Sequence, residues 1–199
     1  MKVMAEKEGR KETKEKENSL TRCFIAIEIS REAINEIEAI QKIIKKRKLF
    51  YGKLTEPENL HLTLKFLGEI NEEIIEKVKE ELKNIKIKEF EVSLGELGLF
   101  SEHIPRILWV RLMGKEVLEL QAEIDKQLDN IFPKEERFMS HLTIARIKKV
   151  IDKRILLEYI KNLKHRKIKF KINEFILKKS ELMPEGPIYS NLEKFKLRE

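Results

Sequence analysis

A single cysteine, Cys23, stands in a chain of 199 residues, so no internal disulfide can form and a cysteine-rich metal cage is excluded. That usage fits a reducing compartment, and a cytoplasmic location is the expectation. Glycine is scarce, with seven residues in all. None falls in GxGxxG or Walker spacing, which removes nucleotide-cofactor enzymes of those types. No apolar run approaches the roughly 18 residues of a membrane span, and the charged N-terminus lacks the apolar stretch of a signal peptide. No membrane association is expected. Glutamine occurs only at positions 41, 121 and 127. With abundant Lys, Glu and Ile, this resembles the composition of proteins that live hot, where ion-pair networks count for more.

What is present is charge. Lys and Arg number 42 against 35 Asp and Glu, a formal net charge of +7 with a pI near 9.3, so anionic partners are attracted at neutral pH. With 41% hydrophobic residues the chain can also bury a real core, as one domain or two small lobes. Residues 1–20 carry six positive and five negative charges and no aromatic residue, which predicts a disordered extension rather than a basic arm. Order is expected from residue 21 to 199. The apolar run at 21–30 predicts a central strand. Ser30 then offers an N-cap to a helix over 31–48, on which isoleucines recur at helical spacing. Strands are predicted at 60–68, 87–94, 106–113, from about 140, at 166–182 and at 188–197, with helices from Asn71, over 115–131 and over 151–163. The second half of this α/β pattern echoes the first, suggesting two similar lobes built from mixed or antiparallel sheets.

The sharpest feature is a repeated tetrapeptide, His61-Leu62-Thr63-Leu64 and His141-Leu142-Thr143-Ile144, 80 residues apart, which uses two of only four histidines. Strand alternation puts His61 and Thr63 on one face, with Leu62, Leu64 and Phe66 on the other, and does the same for His141 and Thr143 against Leu142 and Ile144. Facing lobes would bring two titratable imidazoles and two hydroxyl donors together. Such a set suits a tetrahedral phosphate: one neutral ring takes a proton from water, one imidazolium gives a proton to the departing alkoxide, and Thr63 and Thr143 donate to non-bridging oxygens. Lys65 shares the parity of His61, so it lines the cleft or is solvated. Phe100, Trp109 and Tyr189 are candidates for base stacking or core packing, and the lysine-rich stretch 164–171 is an RNA track or an exposed face.

These motifs, with RCFIAIE (22–28) ahead of the first, HLTLKFLGE (61–69), HLTIAR (141–146) and GPIY (186–189), resemble the 2H phosphoesterase superfamily and, within it, the RNA 2′,3′-cyclic phosphodiesterases historically called 2′-5′ RNA ligases. The resemblance covers residues 21–199. It implies a single bilobal α/β domain with a pseudo-twofold axis, outer helices and a central cleft, acting as a monomer without metal or other cofactor. It also implies the partner, RNA ending in a 2′,3′-cyclic phosphate, and the product, a 2′-phosphomonoester. His61 is then the proton donor and His141 the acceptor; reverse 2′-5′ ligation is the same chemistry run backwards. The resemblance includes an arginine at Arg146. Strict parity places that residue on the face opposite His141, unless a bulge redirects it; the alternatives are a phosphate contact and a structural salt bridge.

Two rivals differ in class. A metal hydrolase using His61 and His141 as ligands would need a third ligand that no motif spacing supplies. A protein that binds RNA ends without turnover would be served better by arginines and lysines than by paired imidazoles. Cys23, inside an apolar strand, is no candidate nucleophile.

Overall fold

The computed structural model describes residues 20–199, so the charged extension expected over 1–20 lies, apart from Leu20, outside the described residues. In chain order the elements are β1 (Thr21–Glu28), α1 (Arg31–Arg47), β2 (Phe50–Leu54), a single 3-10 turn (Pro57–Asn59), β3 (His61–Ile70), α2 (Glu72–Lys83), β4 (Phe90–Phe100), β5 (Ile107–Met113), α3 (Lys115–Gln127), β6 (His141–Val150), α4 (Lys153–Asn162), β7 (Lys169–Ile172), β8 (Glu174–Met183) and β9 (Gly186–Lys196). Local chemistry explains the helix ends. The Ser30 hydroxyl accepts from the Ala33 amide (3.2 Å); Asn71 and Asp152 cap α2 and α4 in the same way, each at 2.9 Å. Such caps contribute about 1 kcal/mol each. Lys45, Lys46 and Arg47 occupy the last turn of α1, against the negative end of its dipole, and Lys48 stops it in the left-handed conformation.

The strands form one sheet in the order β7-β4-β5-β6-β3-β1-β8-β9, with β2 also pairing β6, and every pairing between named strands is antiparallel. The two lobes are therefore halves of a single curled sheet whose midline runs between β6 and β3. They are not halves of the sequence: β1, β3, β8 and β9, from the two ends of the chain, make one, and β4 to β7, with β2 laid on β6, make the other. Helices cover one face. Ile37, Ile40 and Ile44 of α1, Val117, Leu120 and Ile124 of α3, and the strand residues Leu62, Leu64, Leu142 and Ile144 are all at most 1% exposed. Each fully buried aliphatic side chain contributes at most about 1.5–3 kcal/mol. The packing is crossed, because α1, which leads toward β3, lies on β6, while α3, which leads toward β6, lies on β3. The other face of the sheet is left for the cleft.

Three departures from the sequence expectations have local causes. β2 was not anticipated; it is short and contains Gly52, where a Cβ would overlap the Arg146 carbonyl, so glycine is what allows this edge to lie close on β6. The strand expected over 166–182 is broken at Asn173 into β7, which pairs β4, and β8, which pairs β1. β4 extends to Phe100, beyond the expected end at 94, because β5 accompanies it there.

Candidate active site

β3 and β6 touch at one register pair, Leu62 opposite Leu142. Both leucines face the helices, so the residues flanking them, His61 and Thr63 on one strand and His141 and Thr143 on the other, face the cleft on either side of the pseudo-twofold axis. The side chains of the two motifs thus meet across the midline of one sheet. Each imidazole is oriented in the same manner. His61 donates from Nδ1 to the Asn59 carbonyl (2.9 Å) and His141 from Nδ1 to the Met139 carbonyl (2.8 Å), in each case two residues upstream. Because a carbonyl can only accept, the proton of each neutral ring sits on Nδ1 and Nε2 is the basic nitrogen. The Thr63 hydroxyl donates to His61 Nε2 (3.1 Å). Aromatic edges pack each ring: Tyr189 lies 5.1 Å from His61 and Phe100 4.7 Å from His141, both nearly perpendicular. Phe100 and Tyr189 are thus cleft residues, whereas Trp109 is buried.

Burial governs the electrostatics. It drives His61 down to about 4, against the Asn59 carbonyl and the Glu28 charge, which favour the protonated ring, and with help from Lys178 and from His141 itself. It also lowers His141, with the Met139 carbonyl opposing. Both rings are neutral at pH 7, and an anion arriving between them would favour protonation.

Strict alternation first fails inside each motif, at matching places, and a second register shift follows farther along each strand, at Leu67 and at Lys148. Opposite β1, Ile25 pairs Lys65 and Ala26 pairs Thr63; opposite β5, Leu108 pairs Ala145 and Trp109 pairs Thr143. Leu64 and Ile144 are therefore the extra residues of two β-bulges, and parity inverts beyond them. Arg146 consequently lines the cleft with His141 and Thr143. Among the described residues it pairs with no carboxylate, so the salt-bridge alternative falls and an unpaired guanidinium faces the site. Phe66, expected on the core side, instead lines the cleft at 73% exposure. Lys65, expected to be solvated or in the cleft, is 4% exposed and turned to the helix side, where its ammonium meets Asp125 and the Pro133 carbonyl (2.7 Å). Three of the five Lys and Arg residues in the lysine-rich stretch are paired: Arg166 binds Glu36 (2.6 Å), Lys169 faces Glu91 and Lys171 binds Glu89. Cys23 is buried and its thiol is pushed up to about 11, chiefly by that burial, which makes it inert.

The cleft has a volume of about 1190 Å³, above the roughly 300–1,000 Å³ of small-molecule pockets, and so has room for more than one nucleotide. Five Lys or Arg residues border it, Arg22, Lys53, Lys65, Arg137 and Arg146, of which Lys65 commits its ammonium to Asp125 and the Pro133 carbonyl. Arg22 is paired to Glu69 and Lys53 to Glu56. Among the described residues no three His, Cys, Asp or Glu side chains converge as a cation would require, and no helix is long and apolar enough to cross a membrane.

Comparison with known proteins agrees with this geometry. The chain matches the family described as LigT like Phosphoesterase over residues 27–109 and 112–189. It is similar to the RNA 2′,3′-cyclic phosphodiesterase of Methanocaldococcus jannaschii, 37% identical over 172 residues that span 84% of this chain and 96% of that protein. It is also similar to the RNA 2′,3′-cyclic phosphodiesterase of Methanothermobacter thermautotrophicus, 32% identical across 88% of this chain and 98% of the relative. Among solved structures, TT0787 of Thermus thermophilus superimposes with a TM-score of 0.77 at 25% identity, covering 89% of this chain and 98% of its own. With the family match running through both motifs and two relatives above 30% identity along most of the chain, this protein belongs to the LigT-like phosphoesterases of the 2H superfamily.

Proposed function

We propose that this protein hydrolyses the terminal 2′,3′-cyclic phosphate of RNA to a 2′-phosphomonoester, with His61 and His141 as acid and base and no metal. One observation carries the reading: two imidazoles, each held at Nδ1 by a carbonyl so that Nε2 is the basic nitrogen, flank the midline of one sheet beside an unpaired arginine. A phosphodiester anion placed there meets Arg146 and the hydroxyls of Thr63 and Thr143 at its non-bridging oxygens. Water attacks phosphorus as His141 Nε2 takes its proton, the bond from phosphorus to the ribose 3′ oxygen breaks, and protonated His61 gives its proton to that oxygen. His61 suits the donor role once substrate is bound, because the ring deeper in low dielectric responds more strongly to the phosphate charge. A 2′-phosphate remains. The same groups serve ligation when the 5′ hydroxyl of a second RNA end replaces water: its oxygen bonds to phosphorus, the bond to the ribose 3′ oxygen breaks, and a 2′-5′ linkage forms.

The test is incubation of an RNA with a cyclic phosphate end in the presence of EDTA, followed by mapping the phosphate position. Hydrolysis to a 2′-phosphate is expected, and His61→Ala and His141→Ala should each remove it while leaving the fold intact. An aryl phosphodiester with a good leaving group separates the roles, since it needs no acid: His61→Ala should retain activity on it and His141→Ala should not. Loss of all activity in EDTA, restored by added metal, would overturn the reading.

A further inference from the structure

The 80-residue offset that relates the histidines extends beyond them. Gln41 on α1 and Gln121 on α3 stand at the same offset, as do Thr55 and Glu135 in the loops ahead of each histidine, and Leu64 and Ile144 at the two bulges. All but Thr55 and Glu135 are buried. In one half, Gln41 Nε2 donates both to the Thr55 carbonyl (2.8 Å) and to the Ile144 carbonyl (2.9 Å), which also accepts from the Thr55 amide (3.0 Å). In the other half, the Asp125 carboxylate accepts from Lys65, from Gln121 Nε2 (2.6 Å) and from the Glu135 amide (3.1 Å), while Lys65 also donates to the Pro133 carbonyl (2.7 Å). Burial pushes the Asp125 carboxyl up, but the bonds from Lys65, the Glu135 amide and Gln121 outweigh it and hold the group below the usual carboxylate range.

Both networks have the same logic. A helix residue grips the loop that leads to the histidine following that helix, and at the same point grips the bulge of the opposite lobe's motif strand. Gln41 ties the 55–59 loop, which supplies the Asn59 carbonyl to His61, to Ile144 of β6. Asp125 ties the 133–139 loop, which supplies the Met139 carbonyl to His141, to Lys65 of β3. A polar amide or ion pair buried here adds little net stability over a well-packed apolar replacement, so folding alone does not account for placing such groups at both equivalent points. Groups that orient a working imidazole through its second nitrogen do account for it.

We infer that Gln41 and the Lys65–Asp125–Gln121 cluster are positioning residues that set the two imidazoles relative to one another, each lobe's helix registering its own histidine against the other lobe's strand. This inference rests on the proposed acid and base roles of His61 and His141 for its kinetic consequence, though not for its structural one.

The test uses Gln41→Met, which keeps the shape but removes both donors, and the double variant Lys65→Met with Asp125→Leu, which replaces the buried pair by apolar groups without stranding a charge. Two readouts are combined. Steady-state kinetics on RNA with a cyclic phosphate end should show kcat lowered about tenfold or more in each variant, with KM within about twofold of the parent. NMR of the Nδ1-bound protons in protein labelled with 15N-histidine should show a selective pattern: Gln41→Met moves or broadens the His61 signal and spares His141, and the double variant does the reverse. A role confined to stability would lower the melting temperature without that selectivity. Should the double variant fail to fold, Gln121→Met, which removes a single bond to Asp125, takes its place with a smaller change expected at His141. Folded variants with parental kcat, or with ring signals that stay put or move together, would overturn the inference. A parent protein inert on the RNA would overturn the proposed function instead, and the NMR pattern would still decide the positioning role.

Discussion

Turnover on dilute substrate is expected to peak on the acid side of neutrality. Acid and base catalysis by two imidazoles needs one ring charged and one neutral, and kcat/KM reports their ionisation in the free protein. Burial places His61 at about 4 and His141 below its ordinary 6.5. The maximum of kcat/KM therefore falls between those limits, with an approximately tenfold loss per pH unit above the His141 value. Exchanging donor and acceptor leaves this profile unchanged, because both arrangements contain the same number of protons. Lowering His61 from 6.5 to about 4 corresponds to roughly 3 kcal/mol against its imidazolium. Bound phosphate offsets part of that cost, so the limbs of kcat should lie at higher pH than those of kcat/KM. The charges around His61 permit a directional check. Lys178, held by Glu28 (2.6 Å) and Asn191, disfavours the charged ring, and Glu28 favours it. Lys178→Met should raise the acid limb of kcat/KM and Glu28→Gln should lower it, each by about half a pH unit, since neither group touches the ring directly. The assay is initial-rate hydrolysis of a cyclic-phosphate oligonucleotide at constant ionic strength from pH 4 to 8, with a slow substrate so that chemistry limits the rate. A flat profile, or two variants shifting the same way, would refute the reasoning.

Replacing Arg146 by Ala removes charge-assisted hydrogen bonds of about 1.5–3 kcal/mol, so kcat/KM should fall about tenfold to a hundredfold and become less sensitive to salt; unchanged values at two ionic strengths would return Arg146 to a structural role. Phe66→Ala should raise KM for an RNA end at least about fivefold, the lower range of base stacking on an aromatic ring, while base-free ribose 2′,3′-cyclic phosphate is hydrolysed as before; equal effects on both substrates would remove Phe66 from base recognition. Acid should destabilise the fold through His61. Between pH 6.5 and 4 the unfolded chain binds a proton that the folded ring refuses, so stability present above 6.5 is lost as pH falls, by roughly 3 kcal/mol in total, and this contribution levels off below 4. Urea unfolding of the parent and of His61→Asn at pH 7 and 4.5 measures it, and equal acid losses in the two proteins would refute the assignment.

How far the site can be read from the chain depends on whether a feature belongs to one strand or to two. The HLT[LI] pairs, the caps at Ser30 and Asn71 and the apolar face of α1 are local patterns, and each appears in the fold where its periodicity places it. A β-bulge belongs to a pair of strands: whether Leu64 and Ile144 are extra residues depends on what β1 and β5 set opposite them. Counting along one strand therefore placed Lys65, Phe66 and Arg146 on the wrong faces. The composition of the lobes was hidden for a similar reason, because no local signal tells β4 to join β5 and β7 rather than the strands that precede it. The repeat nevertheless held a signal that alternation lacked. Superimposing the two halves at their 80-residue offset aligns Phe66 with Arg146, Lys65 with Ala145 and Gln41 with Gln121, and a lysine matched to an alanine is inconsistent with both positions pointing into an anion-binding cleft. If position 145 faces the core, where an alanine is at home, then by symmetry so does 65, and the residue after each turns outward. That step assigns both bulges without coordinates, and it makes the buried Lys65 a group that must find a carboxylate on the helix covering its strand, which is where Asp125 stands.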